Sequence, residues 1–172
     1  QYMLPFLRQD IQTGILDFER AQELLEHFFL KWNETRGFKL KLSVGSAGGS
    51  NNGKITIGGV DEYGRDATNE LSIMLLEAHA HVHLNDPNLS VRLHRETPQD
   101  FLLRTLEVIR LGGGLPILIN DEAIIPALVG CCKIDLKDAR HYGDVGCQEN
   151  ITAPTFRGAA RNGRTTAGWI NL

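Results

Sequence analysis

The sequence has no apolar run near the ~18 residues that a membrane-spanning helix requires, which argues against a membrane protein. It has no block of Lys and Arg, and its formal net charge is −3. Phosphate backbones and anionic lipid surfaces are bound by clustered cations, so neither a nucleic acid nor a membrane is an expected partner. Only three cysteines are present, an odd number that builds no disulfide framework, and a reducing cytoplasm is the expected compartment. The opening Gln1-Tyr2-Met3-Leu4-Pro5 lacks the features of a signal or transit peptide. It also lacks a starting methionine and opens inside what reads as a helix. At the other end, Gly168-Trp169-Ile170-Asn171-Leu172 reads as the start of another amphipathic element. The expectation is a segment of a longer polypeptide.

What is present is an ordinary globular composition. Of 172 residues, 42% are hydrophobic and 23% charged, enough for about one domain with a substantial core. The clearest helix covers residues 16–36, with Asp17 as N-cap and Gly37 as stop. In it Leu24, Phe28 and Trp32 recur at i, i+4, i+8, beside Leu25 and Phe29. Residues 43–53 form a Gly/Ser/Asn-rich loop, but Gly45, Gly48, Gly49 and Gly53 match neither a P-loop nor a GxGxxG turn. Beyond it the pattern alternates. Ile55-Thr56-Ile57 reads as a strand, and Thr68 as the cap of a helix carrying Leu71, Leu75, Leu76 and Ala78. Residues 89–94 read as a strand, and Thr97-Pro98 as cap and first position of a helix over 99–111 ended by Gly112-Gly113-Gly114. Residues 115–119 read as a buried strand, Asn120-Asp121 as the opening of a helix to about 129, and Asp135 as the cap of a helix over 136–142. Strand–helix repetition of this kind predicts an α/β fold with a parallel sheet. Ligands of such sheets sit beyond the carboxyl ends of the strands, where Asn120 and Asp121 fall; a helix-capping role accounts for both residues.

Three groups of side chains invite chemistry. His79, His81 and His83 alternate, and His79 and His83 share a helix face, but there is no HExxH signature and no third ligand at a familiar spacing. Cys131-Cys132 read as small core residues near a helix end. Gly146-Cys147-Gln148-Glu149 places a thiol two residues from a carboxylate on a turn that Gly146 permits. A nucleophilic thiolate needs a cation or helix N-terminus to lower its pKa, and a carboxylate neighbour acts the other way. The pairing therefore suits a thiol that works neutral, as a carrier of a hydrogen atom. A structural cysteine is the alternative.

Several linked motifs resemble the glycyl radical enzymes. Gly58-Gly59-Val60-Asp61 through Asp66-Ala67-Thr68-Asn69-Glu70-Leu71-Ser72 is similar to a signature of that family. Leu76-Glu77-Ala78, Pro87-Asn88-Leu89-Ser90-Val91-Arg92, Gly114-Leu115-Pro116 and Asn120-Asp121-Glu122 continue it in order. Asp138-Ala139-Arg140-His141-Tyr142 and Val145-Gly146-Cys147-Gln148-Glu149 close it, and Leu4-Pro5-Phe6 and residues 21–26 are similar too. The resemblance implies that residues 1–172 are a single segment of a pyruvate formate-lyase-like catalytic domain, part of an α/β barrel of two half-barrels whose cysteine loop points to the barrel centre. It implies an anaerobic, cytoplasmic lyase or dehydratase that acts on a small molecule and is a homodimer as a full protein. The segment itself would bind no cofactor or metal. A glycyl radical elsewhere in the protein, installed by an iron–sulfur, S-adenosylmethionine-dependent activase, would oxidise Cys147 to a thiyl. Cys147 would take hydrogen from the substrate and Glu149 would act as general base and acid.

Pyruvate formate-lyase carries two adjacent cysteines on this loop and no acid two residues on, so the single Cys147 with Glu149 points to elimination rather than acyl transfer. Cys131-Cys132 precede the loop by a helix and are not that pair. The loop reads Gly-Cys-Gln-Glu-Asn where the family commonly has Gly-Cys-Val-Glu-Pro. Residues 151–164 lack the Trp-His-Asp stretch of the glycerol dehydratase subgroup, so the resemblance does not extend to a glycerol or propanediol substrate. The C-terminal glycine loop is absent, and the segment alone is expected to be inactive. Two rivals remain at this point: a catalytically silent structural fragment needing a partner chain, and a cysteine hydrolase with Cys147 as nucleophile and His141 as base.

Overall fold

In the computed structural model, residues 2–34, 53–145 and 149–152 are described, the last four and Val145 by their backbone alone. The chain begins with two helices, α1 (Leu4–Gln12) and α2 (Phe18–Glu34). Three strand–helix units follow: β1 (Lys54–Gly58) and α3 (Glu70–Val82), β2 (Asn88–Leu93) and α4 (Gln99–Arg110), β3 (Ile117–Asn120) and α5 (Asp121–Gly130). A short helix α6 (Leu136–Arg140) then leads into strands β4 (Tyr142–Val145) and β5 (Glu149–Thr152). β1, β2 and β3 form a parallel sheet in that order, and β4 pairs antiparallel with β5. The α/β organisation with a parallel sheet is the one expected.

Alternation along β1 and β2 divides the sheet into two faces. Ile55 pairs in register with Leu89, and Ile57 with Val91. With Leu93 these residues meet Phe29 of α2, Leu71, Leu75 and Leu76 of α3, and Phe101 and Val108 of α4 in the main core. Thr56 pairs with Ser90 and Gly58 with Arg92, so Lys54, Thr56, Ser90 and Arg92 share the opposite face. A smaller core of Leu128, Ile134, Ala139 and Tyr142 lies under α5 and α6, with Ile119 of β3 packed against it.

Local chemistry explains most element ends and corrects several expected ones. Asp17 caps α2 as expected, its Oδ1 accepting from the Arg20 amide at 2.7 Å. Asn69, not Thr68, caps α3, accepting from the amides of Leu71 and Ser72. The Thr68 hydroxyl instead donates to Asp66 at 2.9 Å. Pro98 is itself the N-cap of α4, and the Thr97 hydroxyl accepts from the His94 amide. Gly112, Gly113 and Gly114 all have positive φ and end the α4 segment as anticipated. The strand expected over 115–119 begins only at Ile117 and is not buried. Leu118 is 42% exposed, because β3 is an edge strand among the described elements and lies beyond the helices covering β1 and β2. Cys131 and Cys132 are exposed thiols in the turn after α5, not core residues. Tyr142, expected as the last residue of a helix, opens β4, since α6 stops at Arg140. Gly37, the glycine-rich stretch at 43–52, residues 153–164 and the closing 168–172 lie outside the described residues.

Candidate active site

The β4–β5 hairpin carries the thiol–carboxylate motif. Its register pairs Tyr142 with Thr152, Gly143 with Ile151, Asp144 with Asn150 and Val145 with Glu149. Glu149 thus begins β5 directly opposite Val145. The connecting residues Gly146, Cys147 and Gln148, and the side chain of Glu149, lie outside the described residues. A two-stranded hairpin is marginal alone, so its location depends on what holds β4. Two buried polar clusters on the sheet do so.

The first cluster is built around Arg92 of β2. Its Nε and Nη2 donate to the two oxygens of Asp121, each at 2.8 Å, in a bidentate pair at the start of α5. Nη1 donates to the Tyr142 carbonyl at 3.1 Å and Nη2 to the Arg140 carbonyl at 3.0 Å, fixing the entry into β4. The guanidinium lies 4.0 Å from the Tyr142 ring centroid, over its face. The Tyr142 hydroxyl donates to Asp121 Oδ1 at 2.6 Å, and burial, reinforced by that bond, pushes its pKa far upward. Asp121 Oδ2 also accepts from the Val60 amide at 3.1 Å. Gly59, with φ of +80°, allows this close approach: a Cβ there would stand 2.6 Å from Arg92 Nε. Asp121 therefore does more than open a helix. The capping bond comes from Asn120, whose Oδ1 accepts from the Glu122 amide.

The second cluster is built around Asp144 of β4. Its Oδ2 forms an ion pair with Lys54 Nζ of β1 and accepts from the Ser90 hydroxyl of β2 at 2.8 Å. The Asp144 amide donates to Thr56 Oγ1 at 3.1 Å. Side-chain exposure is 1% for Lys54 and 0% for Asp144. Oδ1 of Asp144 accepts no hydrogen bond from the described residues. Tyr142 contacts the late part of β2, and Asp144 contacts earlier positions of β1 and β2. β4 is thus directed from the carboxyl ends of the parallel strands toward their amino ends.

The longest sequence motif serves this arrangement as scaffold. Asp66 Oδ1 lies 2.9 Å from His94 Nε2, and Glu70 is salt-bridged to Arg8. Arg140 donates to the Glu62 carbonyl at 2.9 Å and packs over Gly64. A cavity of about 430 Å³ opens at the carboxyl ends of the three strands, with Val60, His94, Asp121, Glu122, Leu136 and Arg140 among its walls. Parallel sheets commonly receive ligands at this end, but β4 runs from it toward the opposite, amino ends of the strands.

The three alternating histidines serve separate neighbours. His79 is buried against the Phe29 ring, and its Nδ1 has no partner among the described residues; burial, with the nearby His83, lowers its pKa to about 4. His81 Nδ1 is 2.6 Å from Glu26, and His83 Nε2 is 3.2 Å from the Gly112 carbonyl. His141 is exposed. The sequence reading missed Lys54, Thr56, Ser90, Arg92 and Asp144 as members of the site. Their signal was a polar residue at every second position of strands that a parallel sheet buries on both faces.

A family model described as "Pyruvate formate lyase-like" matches residues 1–172. Among curated proteins, (2S)-3-sulfopropanediol dehydratase of Klebsiella oxytoca is 37% identical over 153 residues, which is 87% of this chain and 18% of that protein. Trans-4-hydroxy-L-proline dehydratase of Clostridioides difficile is 38% identical over 154 residues, again 87% of this chain and 19% of the relative. Among solved structures, the glycerol-bound B12-independent glycerol dehydratase of Clostridium butyricum is 43% identical with a TM-score of 0.73, covering 78% of this chain and 17% of that one. A structure concerned with 1,2-propanediol dehydration in Roseburia inulinivorans is 38% identical with a TM-score of 0.78, covering 88% of this chain and 19% of its own. The chain thus spans about a fifth or less of the length of these relatives.

Proposed function

The chain belongs to the pyruvate formate lyase-like family, and from that premise we propose that it is part of a glycyl radical lyase or dehydratase that uses Cys147 and Glu149. The observation that carries the reading is the hairpin. β4 and β5 flank Cys147 directly, Glu149 begins the returning strand, and β4 is pinned by buried charges to the polar face of a parallel sheet. In the full protein that face would line the interior of an α/β barrel.

A thiyl at Cys147 takes a hydrogen atom from a substrate carbon that bears a hydroxyl group. The C–H bond breaks, an S–H bond forms, and the unpaired electron moves to carbon. A hydroxyl on a radical carbon is much more acidic than on a closed-shell one, so the Glu149 carboxylate can remove its proton. The neighbouring group then leaves, and the protonated Glu149 supplies the proton that group needs. The product radical takes hydrogen back from Cys147. Exclusion of water protects these radicals, and burial raises the pKa of a carboxyl toward the range where it serves as both base and acid. The substrate class is a small hydroxylated or amino-bearing molecule. The relatives carry names for loss of water or of sulfite, consistent with a leaving group beside the reacting carbon. The radical would reside on a glycine outside this segment, installed by a radical S-adenosylmethionine activase, and the complete enzyme would be a cytoplasmic, anaerobic homodimer.

The test is anaerobic activation of the complete polypeptide that contains these residues. A glycyl signal by electron paramagnetic resonance, with elimination from one member of a panel of 1,2-propanediol, glycerol, trans-4-hydroxy-L-proline and isethionate, is expected. Hydrolysis in air that thiol alkylation blocks, without any radical, would instead favour a cysteine hydrolase. A complete polypeptide with neither activity would favour the silent fragment.

A further inference from the structure

Of the two buried clusters, the one at Arg92 is tied into the whole fold. It joins β2, α5, the glycine turn after β1, the backbone of α6 and the start of β4 through six hydrogen bonds and a ring contact. The cluster at Asp144 is different in kind. Among the described residues it joins β4 to β1 and β2, and it lies three residues before Cys147, nearer to the tip than any other described anchor. It is also a poor device for stability. Burying two charges costs much of what their attraction returns, and apolar residues of similar size commonly do as well or better. One Asp144 oxygen accepts no hydrogen bond from the described residues, which adds a further cost. What a buried ion pair does supply is a defined position, because the two charges tolerate only one alignment.

Alignment matters here because β4 is directed along the sheet. A slip of one residue would carry everything beyond Asp144 by ~3.3 Å. Reacting atoms must stand within a narrow range of each other, and a displacement of ~1 Å can cost about a hundredfold in rate. We infer that Lys54 and Asp144 are positioning residues, whose ion pair, steadied by Ser90 and Thr56, sets how far β4 runs along the sheet and so where the Cys147–Glu149 connection stands. The inference rests on the assignment of Cys147 as the hydrogen-abstracting residue. It predicts that loss of the pair slows the chemical step without weakening substrate binding.

The test uses the complete polypeptide, activated anaerobically, with Lys54→Met and Asp144→Asn combined so that neither charge is left buried alone. Glycyl radical is counted by spin quantitation, and kcat and KM are measured per spin on whichever panel compound the wild type eliminates. A positioning role predicts spin yield and KM within about twofold of wild type and kcat per spin lowered at least about tenfold. A role confined to stability lowers spin yield and total activity together and leaves kcat per spin unchanged, which overturns the inference. Should the double variant fail to accumulate radical, Ser90→Ala, which removes only the hydroxyl on Asp144, is read the same way. A loss of about threefold in kcat per spin supports the inference, and no loss overturns it. Cys147→Ser in the same assay separates the two claims. Turnover retained there defeats the thiyl assignment itself, whereas turnover lost there but unchanged in the charge-pair variants defeats only the positioning role.

Discussion

On one face of the parallel sheet Ile57, Leu89 and Val91 lie under α2, α3 and α4, and on the other Lys54, Thr56, Ser90 and Arg92 lie under β4. Both faces arise from the same alternation along two short strands, and both are buried where β1 and β2 run together. The apolar face gains from non-directional burial, which tolerates small shifts at modest cost. The polar face is held by bidentate and charge-assisted bonds, which tolerate almost none. Loss of a contact is costly on either side, but only the hairpin side also fixes a position to which turnover is sensitive.

Substitutions can break or sharpen that contrast. The largest expected effect is that of Asp121→Ala, which leaves Arg92 buried without its partner and also strips a bond from Tyr142. Denaturant unfolding should report a loss of about 3–5 kcal/mol, accompanied by loss of turnover per radical. Phe29→Ala, on the apolar face, should cost a similar or slightly smaller ~3–4 kcal/mol by the same measurement, since the ring is fully buried. Here turnover per radical should be unchanged in the protein that remains folded, and a fall in it would erase the distinction between the faces.

Acid provides the next test. His79, on the helical side, has its pKa lowered to about 4 against an ordinary 6.5. Above pH 6.5 it is neutral in folded and unfolded chains and contributes no pH dependence. As pH falls toward 4 the unfolded chain takes a proton that the folded chain refuses, so stability declines by an amount on the order of 3 kcal/mol. Hydrogen exchange of α3 amides should show this acid loss in the wild type, and His79→Leu should remove it. The smallest effect is that of Gly59→Ala. Positive φ and a Cβ 2.6 Å from Arg92 Nε should together cost about 1–3 kcal/mol, visible as a lowered unfolding midpoint.

Much of the helical side was legible in the sequence because it obeys one rule. The spacing of Leu25 and Phe29, the Asp17 cap and the Gly112-Gly113-Gly114 stop each follow from local periodicity or backbone freedom. The parallel sheet followed from the order of elements. The polar face was not read, because alternation such as Asn88-Leu89-Ser90-Val91-Arg92-Leu93 ordinarily marks a strand with one face in water. The arrival of β4 on that face is what covers Lys54 and Ser90 among the described residues. Tyr142 was placed in a helix because its residue type suits either structure, and its place is decided by Arg92 and Asp121, far away in sequence. Asn69 took the cap expected of Thr68 because it stands directly before Glu70, the first residue of α3, and its Oδ1 reaches the Leu71 and Ser72 amides. Cys147 and Glu149 were singled out by the sequence on chemical grounds, and the structure adds the strands on either side of their connection and the charges beneath the first of them.

The most direct test of the central claim is Cys147→Ser in the complete, anaerobically activated polypeptide, with spin quantitation and turnover measured on one sample. The account predicts a glycyl signal of wild-type intensity and elimination reduced to background, since the radical can still be stored but no longer passed to substrate. A Cys147→Ser protein that turns over at the wild-type rate per spin would contradict it.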